Sequence, residues 1–277
     1  MRFKLLLIFL FVSFITNAQI NTKLERGIPE NEGLSSSAIL NFINETEEKV
    51  DDIHSLMIVK NGKVVSEGWW NPYNENSPHE LWSLSKSFTS TAVGLAVSEG
   101  LLSINDLVMS FFPEKIPEKP SWQLKQLRIV DLLTMNTGHV KEPKLNTADG
   151  DWESNFLSSD IQFMPGTHFL YNTPASFMLS SIIQKVTGEK LVDYLYPRLF
   201  EPLGIEKPDW EMNQAGVNVG GWGLHLKTED NVFAATTPTS KPPNSPGPVV
   251  AATAETSDNL IFAFFIACIT STSITSE

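Results

Sequence analysis

Two β-rich runs, at residues 54–60 and 63–70, are joined by the dipeptide Asn61-Gly62. This dipeptide is the strongest short signal for a two-residue β-hairpin, because both residues tolerate the left-handed backbone that a tight hairpin turn requires. The pattern therefore predicts two antiparallel strands at an early position in a sheet.

The elements around this hairpin predict the class of fold. Serines at 35–37 can cap a helix that runs to about residue 49. The side chains expected on the inner face of that helix are Ile39, Leu40, Phe42 and Ile43. Residues 101–203 read as short helices and loops, with 144–159 as a polar surface or cleft-edge loop. Strands first, then a helical block, then more sheet signal predict an α+β fold.

Residues 79–90 read HELWSLSKSFTS and lead into a run of good helix formers that stops at Gly100. The pattern predicts a helix whose first turn carries Ser83 and Lys86 on one face, since they are three residues apart. A helix N-terminus favours a developing oxyanion, and a neutral buried lysine can accept a hydroxyl proton. The bare spacing is weak, because roughly one or two such pairs arise by chance. The small-residue helix after a hairpin strengthens the catalytic interpretation.

Composition restricts the partners. The formal net charge is −12, which argues against nucleic acid and anionic membranes as partners. Cys268 is the only cysteine. The five histidines do not have the spacing of metal ligands, so we expect them to be surface or structural residues. We therefore expect no metal and no organic cofactor. The oligomeric state is open.

The first 18 residues predict a signal peptide. Arg2 and Lys4 precede an apolar core at residues 5–15, and small residues end the segment at Ala18. The core is too short to span a bilayer. We expect a periplasmic or secreted protein, with residues 19–277 as one domain and no stable membrane span after cleavage.

Residues 80–96, 131–138 and 165–188 together resemble the serine β-lactamase-like hydrolases, which include class C β-lactamases, D-Ala-D-Ala carboxypeptidases and related esterases. The resemblance implies an antiparallel β-sheet flanked by helices, with an inserted all-helical lobe at about 101–203. It also implies Ser83 as the nucleophile and Lys86 as its base partner.

The second family motif, usually Tyr-x-Asn, resembles residues 171–173. Tyr171 matches the tyrosine, Thr173 stands where asparagine is usual, and Asn172 lies one position early. A phenol between lysine and serine can pass a proton to the leaving group. The alternative for Tyr171 is an aromatic residue packed on the core. The residues expected to contact the substrate are Trp82, His139, Asn172 and Thr173.

The C-terminal part departs from the family. No Lys-Thr-Gly or His-x-Gly follows Tyr171, residues 227–229 lack the glycine, and Ser257-Asp258-Asn259 comes too late in the chain. A Pro/Ser/Thr-rich linker at 236–248 precedes a segment that resembles the last family strand. We therefore expect a missing block of sheet and helix and incomplete C-terminal strands. Residues 234–277 are atypical, and the apolar run at 260–270 predicts a closing helix or a buried strand.

These features predict an exported serine hydrolase that cleaves a small-molecule ester, amide or peptide, possible substrates including β-lactams and D-amino-acid peptides, through an acyl-enzyme on Ser83. Two alternatives stay open. One is a catalytically impaired or inactive shortened family member. The other is a penicillin-binding-type protein that is acylated but does not turn over.

Overall fold

The computed structural model describes residues 23–145, 150–236 and 260–266. The strands are β1 (Glu25–Arg26), β2 (Ile53–Lys60), β3 (Lys63–Trp69), β4 (Pro78–Glu80), β5 (His225–Lys227) and β6 (Leu260–Ile266). The α-helices are α1 (Ser36–Lys49), α2 (Ser85–Ser98), α3 (Ile129–Leu133), α4 (Trp152–Ser158), α5 (Thr173–Thr187), α6 (Leu191–Leu195) and α7 (Thr228–Thr236). Short 3-10 turns lie at Pro29–Glu32, Trp82–Leu84, Val108–Phe111, Pro113–Lys115, Leu124–Gln126 and Glu201–Leu203, and a π-helical turn at Tyr196–Phe200.

The main sheet has the strand order β1-β3-β2-β6. Strands β2 and β3 are antiparallel and meet at Asn61-Gly62, where both residues have positive φ, so the predicted hairpin is confirmed. Strand β6 pairs antiparallel with β2. Residues 260–266 of the apolar run therefore form a strand and not a helix.

Both faces of the hairpin are covered. Met57, Val59 and Val64 cluster with Val232 of α7 on one face. Leu56, Ile58 and Val65 pack against α1 on the other face. Residues 56–59 are consecutively buried for this reason, because a strand buries every side chain only when both faces are covered. The predicted α+β class is confirmed.

Helix α1 begins as expected, because Ser35 Oγ accepts the backbone N–H of Ala38. Its apolar face contains Ile39, Phe42 and Ile43. The prediction for Leu40 was wrong, since its side chain is 57% exposed. A step of one residue turns the side chain by about 100° around the helix axis, which carries Leu40 off the face shared by residues 39, 42 and 43.

The described residues between 101 and 203 form helices and turns, and the longest helix, α5, packs against α2, α3 and α4. The predicted loop at 144–159 was wrong in its second half. There Asp151 caps α4 through the N–H of Ser154, and Phe156 and Leu157 are buried. Tertiary burial of this short apolar pair outweighs the polar composition around it.

Strand β4 was not predicted from the sequence. It pairs with β5 in a second, two-stranded sheet, with His79 opposite Leu226. The partner strand comes from far along the chain, since Leu226 lies 147 positions after His79. Residues 1–22, with the predicted signal peptide, and 237–259, with most of the predicted linker and last strand, lie outside the described residues. Among the described helices, none is long and apolar enough to cross a membrane.

Candidate active site

Ser83 lies in the short 3-10 turn Trp82–Leu84 between β4 and α2. The α-helix begins at Ser85. Ser83 therefore lies just before the first turn of the helix, whereas the sequence predicted it inside that turn. The turn is anchored to one segment of the chain. Leu81 N–H donates to the carbonyl of Leu224 at 2.8 Å, and Thr89 Oγ1 donates to the carbonyl of Gly220 at 2.6 Å.

The residue before Ser83 has an unusual backbone. Trp82 has φ of +45°, a region that bulky residues rarely adopt. Such strain persists only where the surrounding structure enforces it, and it is common at functional sites. Trp82 is 44% exposed and directly precedes Ser83 in the chain. This placement is compatible with the expected contact between Trp82 and a substrate.

The three expected catalytic residues come together. Ser83 Oγ accepts hydrogen bonds from Lys86 Nζ at 3.0 Å and from the Tyr171 hydroxyl at 2.7 Å. Lys86 Nζ also donates to the carbonyl of Gly221 at 2.7 Å. One hydroxyl therefore lies within hydrogen-bond distance of two groups that can move protons, which is the geometry that an activated serine requires.

Tyr171 is presented by the turn before α5, and its ring is 48% exposed. Burial of the phenol acts to raise its pKa, but the hydrogen bond with Ser83 and the neighbouring Lys86 outweigh this effect and hold the pKa below its usual value. Glu142 acts in the opposite direction and raises the pKa. The phenol is therefore easier to ionise than an ordinary tyrosine.

Gly221 is a site residue whose contact with Lys86 the sequence did not reveal. A Cβ at this position would lie 2.5 Å from Thr173 Cγ2 and 3.6 Å from Lys86 Nζ. Any side chain here therefore requires the Thr173 side chain or the backbone at Gly221 to shift. Nothing in the Gly-Gly-Trp-Gly run at 220–223 predicts the contact with the lysine.

Glu142 was also missed. Its carboxylate accepts the backbone N–H of Thr173 at 2.7 Å, at the start of α5. That N–H has no partner within its own helix, because the first turn of a helix leaves its donors unpaired. The contact spans 31 residues, and the segment 141–145 carries no pattern that predicts it.

The residues expected to bind substrate fall into two groups. Thr173 is partly exposed at the start of α5, and its methyl group faces Gly221. Asn172 and His139 are both buried, at 0% and 2% exposure. Asn172 caps α5 through the N–H of Ala175, and His139 bonds Thr137. The structure therefore does not place these two side chains beside Thr173 at the exposed surface of the site.

Within residues 23–145, 150–236 and 260–266, no group of three or more His, Cys, Asp or Glu side chains is arranged to hold a metal ion.

The chain is similar in sequence to proteins of one family. A family model described as Beta-lactamase matches residues 47–259. A protein assigned as a D-alanyl-D-alanine carboxypeptidase from Salmonella agona is 22% identical over 211 residues, covering 65% of this chain and 49% of that protein. A beta-lactamase of Pseudomonas fluorescens is 24% identical over 161 residues, covering 55% of this chain and 44% of that protein. The chain spans about half the length of these curated relatives.

Solved structures show the same architecture. A beta-lactamase/D-alanine carboxypeptidase from Pseudomonas syringae superimposes with a TM-score of 0.58 at 17% identity, over 71% of this chain and 63% of that one. At this identity the likeness concerns the fold, which is of the β-lactamase/transpeptidase type. The family model covers most of the chain, including α2 and α5 with the residues that surround Ser83. The chain belongs to the Beta-lactamase family.

Proposed function

We propose that this chain is a serine hydrolase that cleaves an ester or amide bond through an acyl-enzyme on Ser83. The observation that carries the proposal is the pair of hydrogen bonds to Ser83 Oγ, from Lys86 Nζ at 3.0 Å and from the Tyr171 hydroxyl at 2.7 Å. Relatives named as carboxypeptidases and beta-lactamases support the reaction class.

The proposed chemistry begins with removal of the Ser83 proton by the Lys86–Tyr171 pair. The lowered pKa of Tyr171 favours its phenolate as the acceptor, with the ammonium of Lys86 stabilising that phenolate. The Ser83 oxygen then attacks the carbonyl carbon. Tyr171 returns the proton to the leaving alcohol or amine when the bond breaks, and water later hydrolyses the acyl-enzyme.

The oxyanion of the tetrahedral intermediate needs hydrogen-bond donors. Ser83 precedes α2, so its backbone N–H and the positive end of the helix are the first candidates. Removing one oxyanion donor typically costs about 10²–10³ in rate. A site with this one assigned donor is therefore expected to retain measurable acylation.

The substrate and the location belong to the same proposal. Trp82 and Thr173 lie at the exposed rim of the site and are the proposed substrate contacts. The expected substrates are small-molecule esters, amides or peptides. We propose export to the periplasm or medium through the signal peptide at residues 1–18.

Labelling with a fluorophosphonate probe, read by intact mass, tests the proposal. Wild-type protein should gain a single adduct, and Ser83→Ala should gain none. Ser90→Ala is a matched control, because Ser90 lies on an exposed position of α2, the helix that follows Ser83, and it should label like wild type. A folded wild-type protein without an adduct would favour the catalytically inactive alternative.

A second measurement separates the remaining alternative. Wild-type protein that is labelled should also release product repeatedly from a chromogenic ester. An initial burst followed by no turnover would indicate a protein that is acylated but does not complete hydrolysis.

A further inference from the structure

Three buried polar side chains, those of Asn172, Thr137 and His139, are connected by hydrogen bonds next to Tyr171. Asn172 directly follows the tyrosine, and its Nδ2 donates to Thr137 Oγ1 at 3.0 Å. Thr137 Oγ1 in turn lies 2.8 Å from His139 Nδ1. All three side chains are shielded from solvent, Asn172 and Thr137 at 0% exposure. The reaction proposed above uses none of them.

The donors and acceptors among these three side chains fit one arrangement. The Asn172 amide is oriented by its oxygen, which accepts the Ala175 N–H at 3.0 Å, so its nitrogen faces Thr137. Thr137 Oγ1 accepts from that nitrogen and has its own proton left to donate. Burial lowers the pKa of His139 to about 4, so its imidazole is neutral near pH 7 and can accept at Nδ1.

Met135 holds the backbone on either side of Tyr171. Leu170 N–H donates to the carbonyl of Met135 at 3.1 Å, and Asn172 N–H donates to Met135 Sδ at 3.4 Å. Tyr171 therefore sits between two residues held by the segment that also carries Thr137. Its own ring is half exposed, and Ser83 is the hydrogen-bond partner of its hydroxyl. The direction of the ring depends on how firmly Asn172 is held.

Glycine at 138 fixes the turn between Thr137 and His139. A Cβ at Gly138 would lie 2.2 Å from the carbonyl oxygen of Phe163. The backbone there has φ of +83°, which favours glycine. Thr137 and His139 are thus held in one relative orientation, with both side chains turned toward the interior.

We propose that Thr137 and His139 are positioning residues for Tyr171, acting through Asn172 and never touching the substrate. The inference rests on the proposed function, because it assigns Tyr171 a proton-transfer role at Ser83. A loosely held Tyr171 would lose its 2.7 Å contact with Ser83, and misplacement of a catalytic group by about 1 Å can cost 10²-fold in rate.

Thr137→Val tests the proposal, because valine keeps the shape and removes the hydroxyl. We expect the rate constant for fluorophosphonate acylation to fall by about tenfold or more. Thr137→Ser restores the hydroxyl and should recover the rate to within about twofold. Thr134→Val is the matched control, since the Thr134 hydroxyl bonds only the local Val130 carbonyl on an exposed position, and its rate should equal that of wild type.

Ultraviolet titration of the Tyr171 phenol gives a readout that does not need activity. The phenol is identified by its loss in Tyr171→Phe. In Thr137→Val its pKa should rise, because contact with Ser83 and Lys86 is what lowers it. His139→Leu, which leaves Thr137 and Asn172 in place, is the second variant and should shift the titration in the same direction.

The outcomes separate this inference from the proposed function. Folded Thr137→Val with wild-type acylation and unchanged phenol titration would overturn the positioning role. A wild-type protein that is never acylated would instead defeat the proposed function, and the titration would still report on positioning. A lower melting temperature alone, with normal acylation and titration, would also overturn the inference. It would mean that the hydrogen bonds among Asn172, Thr137 and His139 contribute to stability only.

Discussion

The hydroxyl of Tyr171 lies 2.7 Å from Ser83 Oγ, although the two residues are 88 positions apart in the sequence. Ser83 stands at the start of α2 and Tyr171 at the start of α5, and these two helices pack together in the main core. The contact therefore depends on the packing of two helix starts. That dependence makes the role of each residue testable by substitution.

Tyr171→Phe keeps the ring and removes the hydroxyl. We expect the acylation rate to fall by about 10²–10⁴, the usual contribution of general acid–base catalysis. Since the ring is half exposed, thermal stability should change little. Stopped-flow labelling with the fluorophosphonate probe measures the rate, and Tyr196→Phe controls for tyrosine loss elsewhere. An unchanged rate would remove Tyr171 from the mechanism.

Glu142→Gln should shift the pH dependence of acylation. The negative charge of Glu142 raises the pKa of Tyr171, so its removal should lower that pKa. Because the phenolate is the proposed proton acceptor, the acidic limb of the pH–rate profile should move to lower pH. Glutamine still offers an oxygen to the Thr173 N–H, so the variant removes the negative charge and keeps the hydrogen bond. A shift toward higher pH would contradict this account of the electrostatics.

Gly221→Ala should damage both the fold and the site. The new Cβ would lie 2.5 Å from Thr173 Cγ2, so either the Thr173 side chain or the segment whose carbonyl accepts from Lys86 must shift. Overpacking of this kind costs about 1–3 kcal/mol of stability. Urea denaturation and the acylation rate measure the two effects. Gly68→Ala is the control, because nothing lies within 4 Å of its added Cβ, and equal behaviour of the two variants would count against a tight contact at Gly221.

Two buried histidines should make the fold less stable in mild acid. Burial lowers the pKa of His79 to about 4, assisted by neighbouring His54, and burial lowers that of His139 to about 4. Unfolded histidine protonates near pH 6.5, so between pH 6.5 and 4 the unfolded chain binds more protons than the native one. Stability contributed by the neutral rings is therefore complete above pH 6.5 and is lost as the pH falls toward 4.

Melting temperatures at pH 7.5 and pH 5 measure this effect. Allowing for partial solvation, we expect a loss of about 1–2 kcal/mol, or several degrees. His79→Gln should have a lower melting temperature but a shallower pH dependence. His168→Gln, with an exposed ring, should keep the wild-type slope. A wild-type melting temperature that is the same at pH 7.5 and pH 5 would mean that these rings are protonated as readily in the folded protein as in the unfolded chain.

Sequence patterns predicted the elements whose structure depends on a few neighbouring residues. Asn61-Gly62 specified its hairpin because the turn type depends on two residues. The three-residue spacing of Ser83 and Lys86 placed both groups on one side because helical periodicity operates over a few residues. Gly188 ended α5 in the left-handed conformation for the same local reason.

Long-range contacts were beyond such patterns. Tyr171 was found through the family resemblance, since nothing local to it indicates Ser83. Glu142 and Gly221 were missed because each acts through a partner far along the chain. His139 was expected to contact substrate, yet it is buried, because a polar residue in a loop cannot be told from a buried hydrogen-bonded one by its sequence alone.

The most direct test of the central claim is to trap the acyl-enzyme. Wild-type protein would be mixed with an activated ester, quenched in acid within seconds and digested, and the modified peptide would be sequenced by mass spectrometry. The account predicts one acyl group, on Ser83, and none in Ser83→Ala. An acyl group on another residue, or none on folded protein that nonetheless hydrolyses the ester, would contradict a Ser83 acyl-enzyme.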